Sequence, residues 1–366
     1  MDPSSPPPES ADKTYVAVAV PIRRELPLRV PRVSVVLVAY DSGGALLRCL
    51  ASIDDSAEWV SEIVVVNNGL PGEEIEIAAQ SPRVKVITPS RNVGFGAGCN
   101  LGAANASGDV LVFLNPDTVA APGAIPHLVR TLEDDSVAIA MARLRLFYEP
   151  QLLNSRGNVV HITGLPWCGG HGERAEDVTD LLDVPAPSGA AMAMRADDFR
   201  ALGGFREELF LYQEDIELGW RVQMQGRRVV MNPAADVYHE YEFDRNRGKR
   251  YFMERNRLAF LLLAFSWRTL LVLSPVLVAV ELGMCVLALK QRWLGQKLRG
   301  YGWLLRSIPM LVRRRRETQA ARVLRDRELA RLLTATIHPG VITVPALVRL
   351  VNPVLQLYWR IALRVL

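Results

Sequence analysis

The sequence predicts an α/β domain with a doubly wound, mostly parallel sheet, followed by a basic helical region. Three observations carry this. Short apolar runs alternate with segments of helical period between Val33 and His239, and each run ends in a polar or Gly-rich loop. The charge balance then reverses: residues 1–244 hold 20 Lys+Arg against 34 Asp+Glu, whereas residues 245–366 hold 23 against 5. A swing of that size in a chain of net charge +4 points to two jobs, one for each half.

In order, residues 1–29 are Pro-rich, open on MDPSSPPPES and show no basic-then-apolar leader, so a flexible arm without a secretory signal is expected. Val33 to Ala39 (VSVVLVA) reads as a buried first strand, and Ala45 to Ile53 as a helix with Leu46, Leu47 and Leu50 on one face. Ile63 to Val66 is a second strand ending in Asn67-Asn68-Gly69, and Val84 to Thr88 a third. Pro122 to Leu132 reads as a helix and Val137 to Phe147 as a long strand. The four cysteines, Cys49, Cys99, Cys168 and Cys285, are scattered without a C-x-x-C pair, which excludes a disulfide framework and structural zinc and suits a reducing, cytoplasmic setting. Residues 150–186 carry no pattern that assigns their structure.

The chain is organised around Arg91 to Thr118, RNVGFGAGCNLGAANASGDVLVFLNPDT. Asn92 to Gly96 is a Gly-rich turn, where backbone can approach a ligand closely. Ala97 to Ala106 is a small-residue helix that can pack tightly, and Val110 to Leu114 is an apolar strand that ends in Asn115-Pro116-Asp117. In an open α/β sheet ligands sit at the carboxyl ends of strands. An acid there can hold a divalent cation, and the cation a diphosphate; an N-P-D turn can also simply end a strand. Further on, Gly189 to Met194 is a strand and Ala196 to Leu202 a helix stopped by Gly203-Gly204. Glu214-Asp215 then opens a helix, where acids are favoured by the exposed N–H groups whatever their function. Val229 to Asn232 is a strand, and Ala235 to Tyr238 leads to His239.

The order of Gly-rich turn, small helix, apolar strand and N-P-D, then G-G-F, E-D, Leu218 and Arg221, then His239, resembles the inverting GT-A glycosyltransferases of family 2, above all their bacterial rhamnosyltransferase-like branch. The resemblance covers residues 32 to about 257. It implies a GT-A domain (Rossmann-like, mostly parallel sheet) over 30–250; residues 251–366 are read from their own composition as a helical membrane-associating region. It implies that Asp117 and His239 ligate Mn2+ or Mg2+ on the diphosphate of a nucleotide-sugar donor, with Asn115 standing where the family's first acid usually does. Asp215 is then the general base and Glu214 a group that orients the acceptor, although the sequence alone does not separate the two. Ala39, Tyr40, Asn67, Arg91, Asn92 and Gly94 occupy donor-binding positions. Asn67 replaces a usual Asp, and its amide can still accept the N3–H of uracil or thymine. The implied reaction is transfer of one sugar, rhamnosyl from dTDP-rhamnose as first expectation, to a lipid-linked or cell-envelope glycan. The rivals are a polyprenyl-phosphate sugar synthase and a catalytically silent membrane adaptor; no Q-x-x-R-W follows Asp215 to suggest a processive synthase.

In the basic half, Thr269 to Leu289 has 21 residues with one charge, Glu281, and one proline, Pro275. Such a length permits a membrane span. Basic residues flank it on both sides: Arg255, Arg257 and Arg268 before, then Lys290, Arg292, Lys297, Arg299 and Arg313 to Arg316 after. A single pass would carry arginine-rich chain across the membrane against the positive-inside rule. A peripheral or re-entrant helix on the cytoplasmic leaflet is therefore expected, in contact with anionic lipids, with a single pass and a soluble core helix as alternatives. Residues 340–366 add a second apolar stretch with Arg349, Arg360 and Arg364 spaced to snorkel. No finger, RNP or helix-turn-helix pattern suggests nucleic acid.

Overall fold

The computed structural model describes residues 31–41, 44–70, 72–240, 248–338 and 345–366; the N-terminal arm expected over 1–29 lies outside them. The first half alternates strand and helix as the apolar runs predict. Strand β1 (Val33–Ala39) is buried along its whole length, as befits a strand covered on both faces. It is followed by α1 (Ala45–Asp54), β2 (Val60–Asn67), α2 (Glu73–Ala78), β3 (Val84–Ile87), α3 (Phe95–Ala104) and β4 (Val110–Leu114). These strands stand in the order β3-β2-β1-β4, all parallel. Helix α3 lies unusually close to the sheet because its inner face is glycine: a Cβ on Gly98 would stand 2.8 Å from Val38 Cγ1, and one on Gly102 would collide with Val36 Cγ1.

Beyond β4 come β5 (Thr118–Ala120), α4 (Ala124–Thr131), β6 (Val137–Leu146), β7 (Leu153–Ser155), β8 (Asn158–His161), β9 (Pro166–Cys168), β10 (Leu182–Asp183), β11 (Ala191–Arg195), α5 (Ala196–Ala201), α6 (Glu214–Met224) and β12 (Arg228–His239). The large sheet has ten strands, in the order β10-β12-β6-β11-β4-β1-β2-β3, with β5 on β12 and β7 on β6. It is mixed, which corrects the expectation of a mostly parallel sheet. Strand β11 runs antiparallel to both β4 and β6, because the chain enters it at the edge where β4 ends, pairing Ala191 with Leu114. The two segments expected around Val229 and His239 are one strand, β12, with a bulge between Asn232 and Asp236.

The basic half is helical: α7 (Lys249–Ala264), α8 (Trp267–Lys290), α9 (Leu294–Arg306), α10 (Ile308–Ala320), α11 (Asp326–Leu329), then β13 (Leu333–Thr334) and α12 (Pro345–Val365). It is not a separate appendage. Strand β13 joins a three-stranded sheet, β13-β8-β9, and Phe260 and Phe265 pack edge-on to Trp220 of α6. Several residues expected as a basic membrane flank are instead buried. Arg257 and Lys297, each 1 % exposed, share Glu254 and Glu281 in one four-charge cluster. Arg255 and Arg315 are buried on backbone carbonyls, Arg315 on those of Leu262 and Phe265. Removing either partner from such a buried pair leaves a charge without compensation, which ties α7, α8 and α9 to one another, while Arg257 also donates to the Thr163 carbonyl of the sheet domain at 3.2 Å. Arg313 and Arg316 stay exposed.

Among the described residues α8 is the one helix long and apolar enough to cross a membrane by length and composition. Its outward residues Leu271, Val278, Leu282, Val286 and Leu289 are exposed. Helix α12 lies beside it, held by the Tyr358 hydroxyl on the Val272 carbonyl, and exposes Leu350, Val354, Leu357 and Ile361 at helical spacing.

The α3–sheet contact gives a stability prediction. Gly102→Val should destabilise the protein by about 1–3 kcal/mol through overpacking. Gly283→Ala, at a position with nothing within 4 Å, should be neutral or gain up to about 1 kcal/mol from helix propensity. Urea unfolding of the two variants against wild type checks the contrast.

Candidate active site

The site forms at the edge of the sheet where β1, β2 and β4 end. Asn115, Pro116 and Asp117 follow β4, and the Asn115 N–H donates to Ala190 O at 2.9 Å, which binds this turn to the entry of β11. Strand register brings in the histidine: β12 pairs with β5 so that His239 lies opposite Thr118, the residue after Asp117. His239 Nε2 thereby stands 3.5 Å from Asp117 Oδ1. His239 Nδ1 lies 3.0 Å from Asn154 Oδ1, which can only accept. That contact lets Nδ1 donate to Asn154 and leaves Nε2 on the side of the carboxylate.

Two electron-pair donors so disposed suit a bridging cation. Among the described residues no group of three or more His, Cys, Asp or Glu forms an all-protein metal cage. The carboxylate–imidazole pair fits instead a divalent ion whose other positions are filled by phosphate oxygens and water, the usual habit of Mg2+ at phosphate sites. Sequence reasoning did not single out Asn154.

On the other side of the turn stand Glu214 and Asp215, the first residues of α6. Asp215 is partly exposed and well supplied with donors. Its Oδ2 accepts from Gly189 N–H at 2.9 Å and from Asn158 Nδ2 at 3.4 Å, and its Oδ1 accepts from Ile216 N–H at 2.8 Å. Glu214 is buried, 4 % exposed. It turns inward, its Cγ 3.6 Å from where a Cβ on Gly96 would be, and its Oε2 has no hydrogen-bond partner among the described residues. Burial and the neighbouring Asp215 push the Glu214 carboxyl up to about 8. Burial raises Asp215 too, but its backbone and Asn158 hydrogen bonds oppose the shift. The donors favour the charge on Asp215 and leave the proton on Glu214. The geometry separates two acids that the sequence could not, and it takes Glu214 away from the open face where a group orienting an acceptor would stand.

The donor-side residues divide similarly. Ala39 is fully buried and its carbonyl accepts from the Asn68 N–H at 2.8 Å, so Tyr40, 56 % exposed, is what this strand end presents to a ligand. Asn67 is a turn-former: its Oδ1 accepts from Gly69 and Leu70 N–H at 3.2 and 2.9 Å. Both lone pairs expected to read a base are thereby engaged, and only its NH2 remains to be offered. The residue the sequence reading passed over is Asn68, 3 % exposed. It accepts from Val93 N–H at 2.8 Å and donates to Asn92 Oδ1 and the Gly94 carbonyl at 2.9 and 3.1 Å, pinning the Gly-rich turn to β2. Asn92 is thus engaged within the turn, while the Arg91 side chain is exposed with no partner among the described residues. At Gly94, φ is +87° and a Cβ would collide with the Phe210 carbonyl, so only glycine fits there.

The chain thus carries a mixed α/β, GT-A-like sheet domain, with an acid–histidine pair after its fourth strand and a carboxylate at the start of a following helix. The fold is similar to the crystal structure of GalNAc-T7 with UDP, GalNAc and Mn2+, at a TM-score of 0.55 and 19% identity, over 64% of this chain and 49% of that one. Residues 34–203 match the family described as Glycosyl transferase family 2, and the chain is a glycosyltransferase carrying a domain of that family. Among curated relatives, the N-acetylglucosaminyl-diphospho-decaprenol L-rhamnosyltransferase of Mycobacterium tuberculosis is 27% identical over 230 residues, 56% of this chain and 75% of the relative. The O-antigen biosynthesis protein RfbC of Myxococcus xanthus is 29% identical over 247 residues, 63% of this chain but 19% of that longer protein.

The elevated Glu214 has a stability signature. The folded state holds a proton up to about 8 that the unfolded chain releases near the ordinary glutamate value of 4.5. Its stabilising contribution is therefore full below 4.5 and lost as pH rises to about 8. Glu214→Gln, which cannot ionise, should gain stability relative to wild type as pH rises through this window. Melting temperatures of both proteins from acid to mildly alkaline pH check the sign.

Proposed function

We propose that this chain is a metal-dependent, inverting glycosyltransferase that moves one sugar from a nucleotide diphosphate donor to a lipid-linked acceptor at the cytoplasmic face of the membrane. The carrying observation is that the Asp117–His239 pair and Asp215 flank one turn, linked through the Asn115–Ala190 hydrogen bond and the Gly189 N–H on Asp215. One side suits a diphosphate and the other an acceptor hydroxyl.

Asp117 and His239 would hold Mn2+ or Mg2+, which when bound neutralises charge on the departing diphosphate. Arg91 adds a free guanidinium for phosphate oxygens, and the exposed Tyr40 ring an apolar wall for the base. Asp215 takes the acceptor hydroxyl proton as that oxygen attacks the anomeric carbon from the face opposite the diphosphate. The bond to the diphosphate oxygen breaks as the new glycosidic bond forms, and the single displacement inverts the anomeric centre. Rhamnosyl from dTDP-rhamnose and a prenyl-diphosphate-linked acceptor are the first substrates to test. The rhamnosyltransferase named among the mycobacterial relatives supports that choice.

The membrane part of the reading rests on the exposed apolar faces of α8 and α12 and on the exposed Arg268, Arg349, Arg360 and Arg364 near them. Glu281, midway along α8, is paired with Arg257 of α7 and Lys297 of α9. Pairing of that kind favours a helix lying on the leaflet with its partners over one inserted across it.

Asp215→Asn should lower transfer by about 10²–10⁴-fold, the range of general-base catalysis, while donor affinity stays within a few-fold. Chelation should stop the wild type and added Mn2+ or Mg2+ restore it. A panel of labelled nucleotide sugars with membrane lipid extract reads both, and near-wild-type turnover of the Asn variant refutes Asp215 as base. Separately, Leu350→Asp together with Leu357→Asp should release the protein from vesicles containing anionic lipid in flotation assays. Unchanged flotation would remove α12 from the docking face.

A further inference from the structure

The segment that delivers Asp215 to the site is held in an unfavourable shape from outside the sheet domain. Phe210, Tyr212 and Gln213 have φ of +64°, +67° and +68°, a left-handed region that residues with a side chain seldom adopt and that here recurs three times in four residues. This strap joins both halves of the site. The Phe210 carbonyl accepts from Phe95 N–H of the Gly-rich turn at 2.7 Å, and Gln213 is the left-handed cap from which α6 and the carboxylate pair begin.

What holds the strap comes from α7. The NH2 of Asn256, fully buried, shares its two protons among the carbonyls of Leu209, Leu211 and Tyr212, which lie 2.9, 2.9 and 2.8 Å from Nδ2. The Asn256 Oδ1 accepts from Arg255 Nε at 3.0 Å, which fixes the amide's orientation. Arg255 itself donates to the carbonyls of Glu208 and Leu209, both at 2.9 Å, with its guanidinium 4.1 Å from the centre of the Trp303 ring. The positive-φ residues leave the carbonyls of Leu209, Leu211 and Tyr212 facing Asn256, while the Phe210 carbonyl faces Phe95. A buried side chain that collects three of them stabilises this shape over an extended one.

We propose that Asn256 and Arg255 are positioning residues for glycosyl transfer, acting through the strap 208–213 to set Asp215 against the donor. The inference rests on the reading of Asp215 as base. Its consequence is that the catalytic unit does not end with β12 and His239 but includes the first helix of the basic half.

The test is a comparison of kcat with donor KM in full-length protein. Asn256→Ser removes most of the carbonyl clamp. It should lower kcat by up to about 10²-fold, the penalty of a misplaced reacting group, with donor KM within a few-fold and circular dichroism unchanged. Adding Gln213→Gly to that variant should recover part of kcat, because glycine adopts the left-handed cap without the clamp. Wild-type kcat in Asn256→Ser, or loss of kcat and donor binding together with no recovery by glycine, overturns the proposal. If Asn256→Ser does not fold, Arg255→Lys must show the same split between kcat and KM, and wild-type kcat there overturns it equally. Asp215→Asn run alongside separates the two readings. An active Asp215→Asn defeats the base assignment, whereas an inactive one beside fully active Asn256 and Arg255 variants defeats the positioning role alone.

Discussion

Glu214 and Asp215 stand side by side at the start of α6, where burial makes two adjacent negative charges expensive. The protein relieves this by treating the two unequally. Backbone N–H groups of Gly189 and Ile216 and the Asn158 amide converge on Asp215, while Glu214 faces the glycine-rich underside of α3 with an oxygen that no described group hydrogen-bonds. The same helix N-terminus that favours a negative charge can then carry one charge and one proton. Much of the surrounding architecture serves this arrangement: the turn after β4 is tied to the entry of β11, and the loop entering β11 supplies Gly189.

The basic half of the chain is bound into that arrangement. Its buried cations are used internally, Arg257 and Lys297 on Glu254 and Glu281, Arg315 on backbone carbonyls, and the half-buried Arg314 on Glu208 and Glu317. The cations left outside, with the apolar faces of α8 and α12, are those free to meet a surface. One helical region thus has two faces, an inner one that completes the sheet domain and an outer one available to a membrane. A positive balance read along the chain cannot tell these apart, because a buried arginine and an exposed one contribute the same formal charge.

What the sequence makes legible follows from local physics. Strands β1, β2 and β4 announce themselves as apolar runs, and all of β1 and β4 is indeed buried. The N-P-D turn, the E-D pair and His239 are short patterns whose chemistry needs those residue types, and register brings Asp117 and His239 together as expected. What escapes is set by partners distant in the chain. Strands β7 to β10 are two to four residues long and too short to show a period. The direction of β11 depends on where the chain returns, not on its own residues. Asn68 and Asn256 look like ordinary polar positions until folding surrounds each with carbonyls and N–H groups. Asn67 was expected to read a base because its amide can accept, but the neighbouring Gly69 and Leu70 N–H groups claim that acceptor first. The mixed sheet and the buried flank are failures of the same kind, in which tertiary contacts override a correct local reading.

The unequal protonation of the two carboxyls is the centre of this account, and it is open to direct observation. Carboxyl 13C resonances of the protein, labelled at Glu and Asp side chains and titrated by NMR, can be assigned by their loss in Glu214→Gln and Asp215→Asn. The expected result is a Glu214 resonance that stays protonated at neutral pH and titrates near 8, with Asp215 showing the shift of an ionised carboxylate at neutral pH. A Glu214 resonance already ionised at neutral pH, or a proton residing on Asp215 instead, would contradict it.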